Sequence, residues 1–240
     1  MDQLESFQID DVRFICDIRA GADRSKSKDG EFILVKEQEF LRFYRGLQQH
    51  HPSNILEIGM FEGGSLVLFD KLYEPEKLVG IDIRRQPIEP LERYREGREH
   101  IVTMYGLSQD DPKLTSILRK EFPNGIDLIV DDASHQYGLS GATFHLCFPF
   151  LKPGGLYVIE DWSWSHKPPY QTPAHPWFEK PALTNLVMEL VINMPGSEQM
   201  ERVTVHRDLV VVEKAETATG AIDLADGHDH LRGRELLGHL

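Results

Sequence analysis

Thiols are scarce in this chain. There are two cysteines, Cys16 and Cys147, far apart and outside any C-x-x-C pair, so neither a disulfide framework nor a thiolate metal centre follows. Positive charge is also short, with 26 Lys and Arg against 39 Asp and Glu and a net charge of −13. Nucleic-acid binding rests on basic patches, so this balance argues against it and against docking on an anionic membrane surface. A neutral or cationic substrate, or a metal held by carboxylates, is the better match. No apolar run approaches bilayer-spanning length, and the N-terminus has no basic-then-apolar leader pattern, which makes the cytoplasm the expected compartment. What remains is ordinary for a globular protein: 40% apolar and 27% charged residues. A length of 240 residues suits one large α/β domain, alone or with appendages.

The most informative stretch is Ile55-Leu56-Glu57-Ile58-Gly59-Met60-Phe61-Glu62-Gly63-Gly64-Ser65. Its apolar start reads as a buried parallel strand, followed by a glycine turn that opens into a helix. Glycines permit positive φ and close approach of a ligand to the backbone, next to the free N–H groups of a helix start. The spacing is E-x-G-x-x-x-G-G rather than the G-x-G-x-x-G of dinucleotide folds. Glu57 lies inside the strand, where a carboxylate needs a partner.

Further along, strand and helix patterns alternate. Strands are expected at 78–82, 101–105, 126–132 and 156–159, with a hairpin over 202–206 and 209–213. Helices are expected at 36–50, 66–73, 90–98, 112–122, 141–151 and 182–192. Pro153-Gly154-Gly155 reads as a turn. This order predicts an α/β fold, doubly wound, with a mostly parallel seven-stranded sheet and an antiparallel C-terminal hairpin. Residues 1–35 are expected to form a cap segment and 36–215 the main domain. Residues 216–240, with His228, His230 and His239, are expected to be a flexible tail.

Ligands of open parallel sheets bind beyond the carboxyl ends of the strands. The second strand ends there in Asp82, which suits a ribose diol of either S-adenosylmethionine (AdoMet) or NAD. Arg84 follows, and Ser108 and Gln109 after the third strand can supply donors and acceptors. The cofactor-binding candidates are therefore Glu57, Gly59, Gly63, Gly64, Ser65, Asp82, Ser108, Gln109 and Asp131. At the ends of the fourth and fifth strands stand Asp131-Asp132-Ala133-Ser134-His135 and Glu160-Asp161-Trp162. Four carboxylates there would repel one another unless a cation is bound. Oxygen ligands favour Mg²⁺, Mn²⁺ or Ca²⁺ over zinc, and Mg²⁺ held by Asp132, Glu160 and Asp161 is the expectation. His135, three residues past Asp132, is placed to accept a hydroxyl proton as a general base. The aromatic loop 162–177 suits either the apolar face of a sugar ring or a packing contact.

The glycine loop resembles motif I of class I AdoMet methyltransferases. With Asp131-Asp132-Ala133-Ser134-His135 and Glu160-Asp161, residues 36–215 resemble the metal-dependent sugar O-methyltransferases, a group that includes macrolide-sugar enzymes and shares its architecture with cephalosporin hydroxylases. The resemblance implies methyl transfer from AdoMet to a hydroxyl of an oligosaccharide, a mannoside or a glycosylated natural product. It implies Mg²⁺ on Asp132, Glu160 and Asp161, His135 as base, and Ser108 and Gln109 around the adenine of the cofactor. A catechol-type O-methyltransferase and a non-catalytic AdoMet-binding protein remain alternatives, while the glycine spacing disfavours an NAD oxidoreductase. The expected partners are a small-molecule or oligosaccharide substrate and further copies of the chain in a homo-oligomer, with no nucleic acid and no membrane.

Overall fold

The computed structural model describes residues 4–19, 24–218, 222 and 224. Almost all of the expected tail, including its three histidines, lies outside the described residues. The chain clusters into two compact units, Met1–Ser108 and Gln109–Leu240. Strands from 54 onward form one seven-stranded, mostly parallel sheet with antiparallel C-terminal strands, in the order β6-β5-β4-β7-β8-β10-β9 under the labels given below. The expected fold class is the one observed.

The first unit opens with a three-stranded sheet of β1 (Ser6–Ile9), β2 (Val12–Cys16) and β3 (Glu31–Leu34). β1 and β2 pair antiparallel, and β2 and β3 pair parallel. From the sequence, residues 11–16 read as a short strand or a helix, and the structure makes them β2; β1 and β3 are four residues each and carry no sustained alternation. Phe7 stacks on the buried Phe14 at 5.2 Å between ring centres. Next come α1 (Gln38–Gly46), β4 (Asn54–Ile58), α2 (Gly64–Tyr73), β5 (Lys77–Asp82), α3 (Glu89–Tyr94) and β6 (Ile101–Tyr105). β4, β5 and β6 run parallel. The apolar residues of β4 and β5 are buried on both faces, the usual consequence of helices covering a parallel sheet, while β6 at the sheet edge is half-buried beyond Ile101.

The second unit holds α4 (Lys113–Glu121), β7 (Ile126–Asp131), α5 (Tyr137–Cys147), β8 (Leu151–Glu160), α6 (Thr184–Asn193), β9 (Met200–Val205) and β10 (Leu209–Lys214). β7 and β8 pair parallel, while β10 pairs antiparallel with both β8 and β9. Pro153-Gly154-Gly155 is not a separate turn. It lies inside β8 where the β7–β8 register jumps from Ile126↔Leu151 to Leu128↔Leu156, so the extra residues are absorbed as an irregularity in the strand. Phe144, Phe148 and Tyr157 fill the core, with Phe144 stacked on Phe148 at 4.7 Å and edge-on to Tyr157 at 5.0 Å. Among the described residues, no helix is long and apolar enough to cross a membrane.

Gly64 shows how tightly the first unit is packed. A Cβ there would sit 2.0 Å from the carbonyl oxygen of Ile33. We therefore expect Gly64→Ala to lower stability by about 3 kcal/mol, whereas Gly46→Ala, in helical backbone with open space around it, should raise stability by about 0.5 kcal/mol. Urea unfolding of the two variants checks both.

The loop after β2 buries Asp17 completely. Its carboxylate accepts two bonds from the Arg19 guanidinium, at 2.7 and 2.6 Å, and one from the Ser25 amide at 2.7 Å. The Arg19 bonds outweigh the opposing effect of burial and hold Asp17 far below the usual carboxylate range. A depressed folded value means that the stabilisation is fully present above the unfolded value of about 3.9 and fades as pH falls below it. The stability gap between wild type and Asp17→Asn should thus be wider at pH 6 than at pH 3, as read from urea midpoints.

Candidate active site

In the first unit the site is built around the turn that follows β4. Gly59 has φ 93° and donates its N–H to Ile81 O at 2.9 Å. Asp82, at the tip of β5, accepts the Met60 and Phe61 amides on Oδ2 at 2.9 and 3.1 Å, and the Arg84 amide on Oδ1 at 2.8 Å. These bonds fill three of its roughly four acceptor positions and hold the glycine turn to the neighbouring strand. Gly63 closes the turn with φ 80° and an N–H bond to Met60 O at 2.7 Å. Gly64 faces the Ile33 carbonyl, so its missing side chain serves packing between elements of the unit. Glu57 is fully buried in β4, and Ser65 is buried at the start of α2. Ser108 is half-buried just past β6.

The N-terminal segment reaches the same turn. Glu62 accepts the Ser27 amide at 3.2 Å and lies 3.7 Å from the Arg84 guanidinium. The Arg24 guanidinium lies over the Phe61 ring at 5.5 Å. Phe61 is partly exposed and, like Gly59 and Gly63, has positive φ.

In the second unit, successive residues at the tip of β7 part company, as strand alternation requires. Asp131 is buried in the core, where Tyr157 donates to it at 3.4 Å. Burial, reinforced by the charge of Asp132, pushes its carboxyl up to about 7. Asp132 is half-buried and lies 3.8 Å from His135 Nε2. One ligand atom from each of Asp132, His135 and Asp161 lies within 4.8 Å of the others. These three could share one cation. His135, expected as a base, is inside the ligand-competent group. Glu160, expected as a ligand, is outside it and only 1% exposed.

Gln109 is buried and its amide is engaged within the unit, donating to Thr143 Oγ1 at 2.8 Å and accepting the Ser134 amide at 3.1 Å. It braces the segment between Asp132 and His135. The aromatic loop packs on itself. Trp164 is edge-on to Tyr170 and Trp177, at 5.1 and 4.8 Å, and Tyr170 lies 4.5 Å from His175. Trp162 donates its indole N–H to His206 O at 2.9 Å.

Two charged residues here carried no sequence signal. Lys167 Nζ lies 3.0 Å from Asp208 and 3.8 Å from Asp161. Asp208, read only as part of a hairpin turn, is nearly buried and accepts a bond from Ser163. Burial alone would raise its carboxyl, but the Ser163 and Lys167 hydrogen bonds outweigh this and hold it low. Neither residue belongs to a periodic pattern, and only the folded loop brings them to Asp161.

A profile described as a methyltransferase domain matches residues 56–162, which run from β4 to the residues just past β8. The match takes in both the glycine turn and the strand ends that carry the acidic residues. Over 212 residues the chain is 28% identical to an 8-demethyl-8-(2-methoxy-alpha-L-rhamnosyl)-tetracenomycin-C 3'-O-methyltransferase of Streptomyces olivaceus, covering 80% of this chain and 51% of that one. It is 30% identical over 129 residues to the mycinamicin VI 2''-O-methyltransferase of Micromonospora griseorubida, covering 51% of this chain and 30% of that one. The chain spans about half or less of the length of the curated relatives it matches. Among solved structures, the MycE methyltransferase of the mycinamycin pathway, in complex with Mg, SAH and mycinamycin VI, aligns with a TM-score of 0.57 at 26% identity, over 77% of this chain and 50% of that one. The glycine turn and the Asp132–His135–Asp161 group both fall within residues 56–162, the stretch similar to methyltransferase domains.

Proposed function

We propose that this chain transfers a methyl group from AdoMet to a hydroxyl of a sugar carried by a natural product, assisted by Mg²⁺. The observation that carries the proposal is the convergence of Asp132, His135 and Asp161 within 4.8 Å, in a chain that resembles enzymes named for sugar methylation. The glycine turn, with Gly59, Gly63 and Asp82, is assigned to the AdoMet side, with Ser108 toward the adenine. Glu57, Gly64, Ser65, Gln109 and Asp131 are assigned to the supporting framework, because all five are buried and Gly64, Gln109 and Asp131 shape the surrounding packing or hydrogen bonding.

Asp132 and Asp161 are the proposed ligands for the ion, with Glu160 kept as a candidate third ligand from the sequence reading alone. The donor set fits a divalent cation, since two carboxylates and an imidazole offer oxygen and nitrogen ligands within one small space. Bound there, Mg²⁺ supplies a Lewis acid that favours ionisation of a nearby hydroxyl. His135 accepts the hydroxyl proton on its neutral imidazole. The substrate oxygen forms a bond to the methyl carbon as the carbon–sulfur bond breaks, and sulfur keeps the electron pair. The products are a methyl ether and S-adenosylhomocysteine.

Methyl-tritiated AdoMet should label a rhamnosylated or other deoxysugar-bearing acceptor, and chelation with EDTA should abolish the labelling. Transfer to catechols alone would replace the sugar with an aromatic diol, and AdoMet binding without transfer to any acceptor would leave a binding protein. Asp132→Ala should weaken Mn²⁺ binding, measured by electron paramagnetic resonance, by at least about tenfold, a loss of roughly 1.4 kcal/mol or more. His135→Ala should lower turnover by about 10²-fold or more while AdoMet and Mn²⁺ affinities hold. If Mn²⁺ affinity falls instead, His135 is a ligand and not the base. Unchanged Mn²⁺ affinity in Glu160→Gln would remove Glu160 from the ligand set.

A further inference from the structure

His135 and Asp161 share a backbone peculiarity. Each has φ 53°, in the left-handed region that non-glycine residues rarely adopt. They lie past the ends of different strands, β7 and β8, yet both carbonyls accept hydrogen bonds from a single residue. Trp164 donates its indole N–H to His135 O at 2.6 Å and its backbone N–H to Asp161 O at 3.3 Å. The indole is itself only 4% exposed and is gripped edge-on by Tyr170 and Trp177. Trp164 therefore ties both turns of the candidate site to one anchored aromatic ring.

We propose that Trp164 is a positioning residue that sets the His135 imidazole against Asp132 and Asp161. The proposal rests on the reading of these three as a metal-assisted methyl-transfer site. The indole touches neither substrate nor ion. It fixes the carbonyl of His135, and with it the φ and ψ that aim the ring. Without the N–H, the peptide after His135 is free to rotate toward ordinary backbone values, and the imidazole swings away from Asp132. Asp161 keeps its bond, because that bond comes from the main chain of residue 164. The effect should fall on the orientation of His135 and spare the rest of the site.

Two replacements isolate the N–H. Trp164→Phe keeps an aromatic ring in the cluster, and 3-benzothienylalanine at position 164 keeps the indole's shape while removing only the donor. Each is assayed for kcat, KM and AdoMet affinity. Mn²⁺-induced broadening of the His135 imidazole is followed in protein with ¹⁵N-labelled histidine, its signal assigned with His135→Ala. We expect kcat to fall about tenfold, KM and AdoMet affinity to stay within about twofold, and the Mn²⁺ broadening of His135 to diminish in both variants. Unchanged kcat and broadening would overturn the proposal. So would a kcat loss with broadening intact, since the ring would not have moved, or a parallel loss of kcat, AdoMet affinity and thermal midpoint, which marks a merely structural role. If wild-type protein shows no Mn²⁺ effect on His135, the reading of the site itself falls, and the Trp164 assignment with it.

Discussion

Negative charge gathered past the ends of β7 and β8 is the constraint around which the second unit is arranged. Two carboxylates 4 Å apart repel by about 4 kcal/mol at an effective dielectric constant near 20. The structure lowers this cost in two ways. Asp131 withdraws into the core beside Tyr157, where burial favours its protonated form. Asp208 joins the cluster together with a cation, Lys167, which also lies near Asp161. Asp132 and Asp161 remain half-buried, with His135 between the choices of ligand and base. The unit thus sets aside two of its carboxylates and leaves a smaller, oriented group that a divalent ion suits.

The first unit solves a different problem with the same economy of residues. The turn after β4 must leave backbone N–H groups available while keeping one shape. Asp82 does part of this by accepting the Met60 and Phe61 amides, so the acid that the sequence assigns to a ribose also fixes the turn. Gly59 and Gly63 take the positive φ values that the turn demands. Gly64 answers to the Ile33 carbonyl. A glycine-rich run is therefore a composite signal, in which two positions serve the turn and a third serves close packing.

These distinctions explain what was legible in the sequence. The strands of the large sheet announced themselves, because runs such as Leu78–Ile81 and Leu128–Val130 are uninterrupted by charge and end in an acid. The clustering of Asp132, His135 and Asp161 was legible for the same reason: residues just past parallel strands collect at one edge. In the sequence reading Asp131 stands apart from the metal set, on the cofactor side, but Glu160 stands together with Asp161. A one-residue alternation puts Asp131 and Glu160 inside and leaves Asp132 and Asp161 half-exposed, and the sequence has no mark for the phase at a strand's last residue. The partner of Gly64 and the roles of Lys167 and Asp208 depend on contacts between distant segments, which no local pattern encodes. The outer strands of the small N-terminal sheet escaped notice because they are too short to show a period.

The aromatic content of residues 162–177 follows from the strain beside them. A left-handed non-glycine residue costs on the order of 1–3 kcal/mol, toward the low end for Asp and His, so His135 and Asp161 together ask for a few kcal/mol. The two hydrogen bonds from Trp164 return about 1 kcal/mol each, and only if the ring that donates one of them stays put. A freely moving loop would lose that gain to entropy. Burying an indole removes roughly 150–250 Å² from water, worth about 4–6 kcal/mol at 25 cal/mol per Å², which is enough to hold the loop and carry the remaining strain. Tyr170, His175 and Trp177 complete that burial. Their abundance is thus accounted for by anchoring Trp164 over the two strained turns, and a stacking surface for a sugar ring is not needed to explain it.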